Sequence, residues 1–106
     1  MLPKKKRLNR SEFNRFFVVG RRYNTPHFQL IFTSHGSFHG AVVVGKKVYK
    51  KAVLRNRLRR QVYAVLYRSQ GILPLGVYII IARGSASTLS GKEVILEVQK
   101  LLKTVS

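Results

Sequence analysis

The sequence has no cysteine and almost no acid. Without thiols there can be no disulfide, no thiolate metal centre and no cysteine nucleophile. Its only three carboxylates are Glu12, Glu93 and Glu97, so residues 13–92 carry none. Metal-dependent phosphodiester cleavage generally uses carboxylates to hold its hard cation. The chain is therefore expected to have no catalytic residue and no metal site of its own. The three glutamates should serve as caps, helix-dipole partners and surface charges near the termini. His27, His35 and His39 lie around one strand pair with no cysteine or carboxylate among them. That is a weak zinc signal, and they read as surface residues in turns. No phosphate-binding loop, nucleophile elbow or dinucleotide fingerprint is present. Long apolar runs are missing too: none approaches the roughly 18 residues of a spanning helix, and no signal-type apolar core follows the basic start. A soluble, cytoplasmic chain with no membrane partner is expected.

What the sequence does have is positive charge. Lys and Arg number 21 among 106 residues, for a net charge of +18. Self-repulsion on that scale weakens a fold unless a polyanion offsets it, and nucleic acid is the obvious polyanion. The length suits one domain, residues 1–106, of which 1–10 form a basic arm. The run PKKKR in that arm also resembles a nuclear address, but phosphate contact accounts for it equally well.

The charge concentrates in residues 46–60, KKVYKKAVLRNRLRR, where eight of fifteen are basic. An apolar pattern runs through and past them. Leu54, Leu58, Val62, Val65 and Leu66 fall on one stripe of a helix with 3.6 residues per turn. The cations therefore stand on a folded element. Asn56, Arg57 and Arg60 should project away from the stripe, with Arg55 and Arg59 at its edge. A solvated helix face normally interleaves Glu with Lys, and this one has none. Guanidinium forks in a row suit a polyphosphate. Lys46, Lys47, Lys50, Lys51, Arg55, Asn56, Arg57, Arg59 and Arg60 are the candidate nucleic-acid-binding set.

Around that helix the chain reads as an α+β domain. Ser11 can cap a helix over 12–19, with Gly20 past its end. Phe13, Phe16 and Phe17 share one face of it, at least one ring belonging to the core and the others able to stack on unpaired bases. Residues 21–26 read as a connecting turn. FQLIFT at 28–33 alternates as a strand. Residues 38–44 read as a second strand buried on both faces. The long helix should span 50–69, ended by Gly71 and Pro74. VYIIIA at 77–82 should be the central strand, and 83–89 a loop. Ser90 and Glu93 form a capping box opening a last helix to 103. Its residues Val94, Ile95, Val98, Leu101 and Leu102 form an apolar stripe.

The blocks LPKKKRLNRSEF, FQLIF, VGKKVYKKAVLRNRLRR and YIIIARGSAS, in this order, resemble the protein subunit of bacterial ribonuclease P. Composition alone would fit a small ribosomal protein as well; the ordered blocks decide between them. Arg55-Asn56-Arg57 with Leu58-Arg59-Arg60 is similar to that family's most specific signature. The resemblance implies an αβββαβα two-layer sandwich, with helices on a central, mostly antiparallel sheet and a left-handed βαβ crossover. That handedness is against the usual rule, and one of the three early strands has no pattern of its own here. It further implies a division of labour. A catalytic RNA with its Mg2+ removes the 5′ leader of precursor tRNA, one protein serving each RNA. The protein binds that RNA and holds the leader in a cleft between first helix and sheet, lined by Phe13, Phe17 and Phe28. Ile31 stands where some members carry an aromatic. Tyr63 and Tyr67 stand where members often carry Arg, so stacking on RNA is expected to replace charge there.

Overall fold

The computed structural model describes residues 8–105. The expected basic arm lies outside the described residues up to residue 7. The elements run α1 (Arg10–Val19), β1 (Arg21–Asn24), β2 (Phe28–Ser34), β3 (His39–Val43), α2 (Ala52–Ser69), β4 (Gly76–Ala82), a short 3-10 helix (Gly84–Thr88) and α3 (Gly91–Lys103). This is the αβββαβα order. The strand without a sequence signal is β1, which occupies the expected turn.

The sheet order is β1-β2-β4-β3. β1 and β2 are antiparallel, as are β2 and β4, while β3 runs parallel to β4. A parallel neighbour demands a crossover, and α2 is that crossover. β4 lies between β2 and β3, which is why VYIIIA is almost wholly buried. β3 is less enclosed than its AVVV run suggests. Gly40 and Val42 are buried, whereas Ala41 and Val43 are only half-buried, because β3 is an edge strand.

Alternation divides the sheet's residues between two apolar clusters. Phe28, Leu30, Tyr78 and Ile80 join Leu58, Val62, Leu66, Val94, Val98 and Leu101 under α2 and α3. Ile31, Val77 and Ile79 join Phe16 under α1. Helices α2 and α3 with the sheet form the main sandwich, and α1 lies against the opposite face. The Tyr78 hydroxyl donates to the Pro74 carbonyl at 2.6 Å, and burial pushes its pKa up to about 12.

Two expectations at α1 change. Its cap is Asn9, whose side chain accepts from the Glu12 amide while Glu12 accepts from the Asn9 amide. Ser11 already lies inside the helix. Gly20 ends α1 in an extended conformation, so backbone handedness is not its reason. A Cβ there would come within 2.3 Å of Ile31 Cγ2 and 2.9 Å of the Phe16 carbonyl. Gly20 thus lets the chain turn tightly from α1 onto β2's face. Ser90 and Glu93 form the expected capping box of α3, and the Ser90 amide and hydroxyl lower the Glu93 pKa.

Candidate RNA interface

Helix α2 points its cations outward because its other side is core. Leu58, Val62, Tyr63, Val65 and Leu66 are buried, so the apolar stripe holds from Leu58 onward, while Leu54 is half-buried. Asn56, Arg57 and Arg60 are exposed, and Arg55 and Arg59 are half-buried at the stripe's edge. Lys46, Lys47, Lys50 and Lys51 are all exposed on the segment that leads into α2. The whole basic set therefore gathers on one helix and its approach.

Hydrogen bonds within that set differ by residue. Arg59 donates to Asn56 Oδ1, which fixes the two as a pair. Arg55 Nη1 donates to the Tyr49 carbonyl at 3.0 Å and the Lys50 carbonyl at 2.7 Å. The α2 N-terminus has no side-chain cap and no acid in its first turn. Both features are unfavourable to a helix on its own, and both leave its positive end uncompensated.

Tyr63 corrects an expectation. It is 6% exposed, and its hydroxyl accepts from the Val42 amide at 3.2 Å. It is a core residue and presents no ring to RNA. Tyr67, one turn on, is 46% exposed.

A second surface lies between α1 and the sheet. Phe13 and Phe17 are half-buried and stack with ring centroids 5.8 Å apart. Phe16 between them is the buried ring, 6% exposed against Ile31, Val77 and Ile79. Phe28 does not belong here. It has no exposed surface and lies in the cluster under α2 and α3, on the far side of the sheet from α1.

Polar residues that sequence reasoning missed complete this surface. Arg22 lies over the Phe17 ring, 5.0 Å from its centroid, and donates to the Phe17 carbonyl and to Gln29 Oε1. Gln29 donates to Asn24 Oδ1, which also accepts from Arg83. The register pairs Arg22 with Ile31 and Asn24 with Gln29, so all four belong to the face that α1 covers in part. Both amide oxygens are spent on guanidinium or amide donors, which leaves a surface of hydrogen-bond donors beside two rings. Seeing this required β1, whose residues carry half of it.

The carboxylates are committed elsewhere. Glu12 and Glu93 close capping boxes. Glu97 does more than the surface role expected of it. It accepts from the Thr25 hydroxyl at 2.7 Å, the His27 amide at 2.8 Å and His27 Nδ1 at 2.7 Å, pinning the β1–β2 turn to α3. Burial raises its pKa, but these bonds outweigh that and hold it below the ordinary value. His35 and His39 share Ser37 as a hydrogen-bond partner. Among the described residues no three His, Cys, Asp or Glu group to hold a metal ion, and no helix is long and apolar enough to cross a membrane.

Similarity to known proteins points the same way from sequence and from structure. The family model described as Ribonuclease P matches residues 2–106. A ribonuclease P protein component from Microcystis aeruginosa is 34% identical over 95% of this chain and 91% of its own length. One from Vibrio parahaemolyticus is 32% identical over 93% and 86%. The structure of the Thermotoga maritima RNase P protein superposes with a TM-score of 0.83 at 28% identity, covering 94% of this chain and 97% of that one. The Staphylococcus aureus RNase P protein, 21% identical, shares the fold with a TM-score of 0.87 over 93% and 94% of the two chains. The basic helix, the ring-bearing face opposite it and the match along nearly every residue lead to one assignment: this chain belongs to the ribonuclease P protein family.

Proposed function

We propose that this chain binds the catalytic RNA of ribonuclease P through α2 and its approach, and the 5′ leader of precursor tRNA through the face beside α1. The observation that carries the reading is the orientation of α2. Its buried stripe aims Asn56, Arg57 and Arg60 at solvent, with exposed lysines directly before them and no acid from residue 13 to 92. Such a surface engages phosphates by charge-assisted, two-point contacts. The leader, an unpaired strand, fits the other surface. Phe13 and Phe17 offer rings on which bases stack, and Arg22 and Arg83 offer donors to phosphate or to base acceptors.

The carboxylates do not suit a magnesium site. Each of the three is already hydrogen-bonded, in a different part of the fold. In this reading the RNA subunit holds the Mg2+ and performs the cleavage, and the protein contributes binding alone. One protein serves one RNA, in the cytoplasm.

The test is reconstitution. The protein is mixed with a bacterial ribonuclease P RNA and precursor tRNA at low magnesium. Cleavage at the mature 5′ end by the mixture, with none by either component alone under those conditions, is the expected result. Cleavage by the protein alone that tracks with it through purification would overturn the division of labour. Failure to bind the RNA would overturn the reading itself.

A further inference from the structure

We propose that Arg55 is a positioning residue, which acts on RNA through Lys46, Lys47, Lys50 and Lys51 and makes no phosphate contact of its own. This inference rests on the RNA-binding reading above. Residues 45–51 place four lysines in a short segment with no acid nearby in sequence. Like charges so close repel and favour a splayed chain, so something must hold the segment. Besides the Lys51 carbonyl, which accepts from the Leu54 and Arg55 amides as α2 begins, three attachments do. Val48 is buried in the core and its amide donates to the Gly45 carbonyl. The Tyr49 hydroxyl donates to the Ser87 carbonyl at 3.4 Å. Arg55 Nη1, one turn into α2, reaches back to the Tyr49 and Lys50 carbonyls.

The third attachment falls where the chain enters the helix, at an N-terminus with neither cap nor acid. Most helices order that junction with Asp, Asn, Ser or Thr. An acidic cap here would cancel charge at the point where phosphates are to be bound. Arg55 orders the junction by donating to carbonyls, and it adds positive charge while doing so. Its half-buried guanidinium is turned back toward the backbone, in contrast to the exposed Arg57 and Arg60. The geometry therefore gives neighbouring arginines of one motif different tasks.

The test is a double-mutant cycle with the full chain and ribonuclease P RNA, at a salt concentration where every variant binds measurably. The variants are Arg55→Met, the quadruple replacement of Lys46, Lys47, Lys50 and Lys51 by Ala, and their combination. Methionine keeps length and helix propensity but has no donor. A residue acting through the lysines weakens binding about fivefold or more in the parent and less than about twofold once the lysines are gone. Equal weakening in both backgrounds overturns the proposal, because Arg55 then meets RNA directly. Amide exchange on the free protein is the second readout. It should quicken over residues 46–51 in Arg55→Met while the body of α2 stays protected. Unchanged exchange there also overturns the proposal, and this measurement holds even if the chain proved not to bind that RNA. If Arg55→Met does not fold, Arg55→Leu, which also lacks a donor, takes its place in both experiments.

Discussion

The Tyr63 hydroxyl of α2 accepts a 3.2 Å hydrogen bond from the Val42 amide of the edge strand β3. An edge strand presents unpaired amides to any passing strand, and covering them is a recognised defence. Tyr63 both fills the core under α2 and covers one such amide. We expect Tyr63→Phe to keep the packing but leave a buried donor without its partner, costing about 1–3 kcal/mol. Thermal melting should fall while affinity for ribonuclease P RNA stays the same. Weaker RNA binding at unchanged stability would show that the ring meets RNA after all.

Two neighbours on α2 should separate fold from function. Leu58 is 3% exposed and Arg57 is exposed. Leu58→Ala should cost about 2–5 kcal/mol of stability. Arg57→Ala should leave the melting temperature nearly unchanged and weaken RNA binding by about 1 kcal/mol or more. The reverse pattern in melting and binding assays would show the helix to be rotated from the orientation described.

Much of α2 was legible in the sequence because its signal is local. The spacing of Leu58, Val62, Val65 and Leu66 sets the buried side without knowledge of any partner. Tyr63 was misread because it flanks that stripe, and only contact with Val42 draws it inside. β1 was not legible at all. RRYN is polar and short, and its pairing with β2 depends on residues further along the chain. With β1 unseen, Arg22 and Asn24 could not be placed beside Phe17. Phe28 shows a further limit: alternation puts it with Leu30 on one face, but only the tertiary fold says that α1 covers the other. The cap at Asn9 was readable in principle, since Asn9 and Glu12 have capping-box spacing.

The uncapped start of α2 suggests a trade between stability and binding. Lys51 sits at the N-cap in the extended conformation that capping residues adopt. Lys51→Asp should add a cap and a favourable charge at the helix's positive end, stabilising the fold by about 1 kcal/mol. The same change removes a cation from the proposed interface and puts an anion there. A higher melting temperature together with weaker RNA binding is the expected pair of results. Stronger binding by Lys51→Asp would contradict the interface.

Glu97 should make the fold sensitive to acid. Its pKa is held below the ordinary 4.5 by bonds from His27 and Thr25 that outweigh the effect of burial. The folded value is thus lower than the unfolded one. The stabilisation is complete above the unfolded value and is lost as pH falls through the folded value. Glu97→Gln should melt lower than the parent at neutral pH, and the gap should close as pH falls from the ordinary carboxylate range through the lowered folded value. A gap that persists unchanged at low pH would mean that the carboxylate's charge contributes nothing.

Phe17 tests how the leader is held. An unpaired strand can be gripped through phosphates or through stacking, and salt tells them apart. Removing one cation–phosphate interaction flattens the plot of log affinity against log salt by about 0.7 for a single strand. Removing the ring under a stacked base costs about 1–3 kcal/mol and leaves that slope alone. Phe17 is half-buried, stacked on Phe13 and overlain by Arg22, so its ring is held at a fixed orientation. Phe16, one residue before, is buried and serves as the control. We expect Phe17→Ala to weaken binding of the reconstituted ribonucleoprotein to precursor tRNA with a leader of several nucleotides. Binding of mature tRNA, which has no leader, should not change, and neither should the salt slope. Phe16→Ala should instead cost about 3–5 kcal/mol of stability, lowering the melting temperature whichever tRNA is bound. Equal weakening by Phe17→Ala toward both tRNAs would remove stacking as the explanation. A flatter salt slope would move the leader's grip from Phe17 to the cation above it, because the ring also orients Arg22.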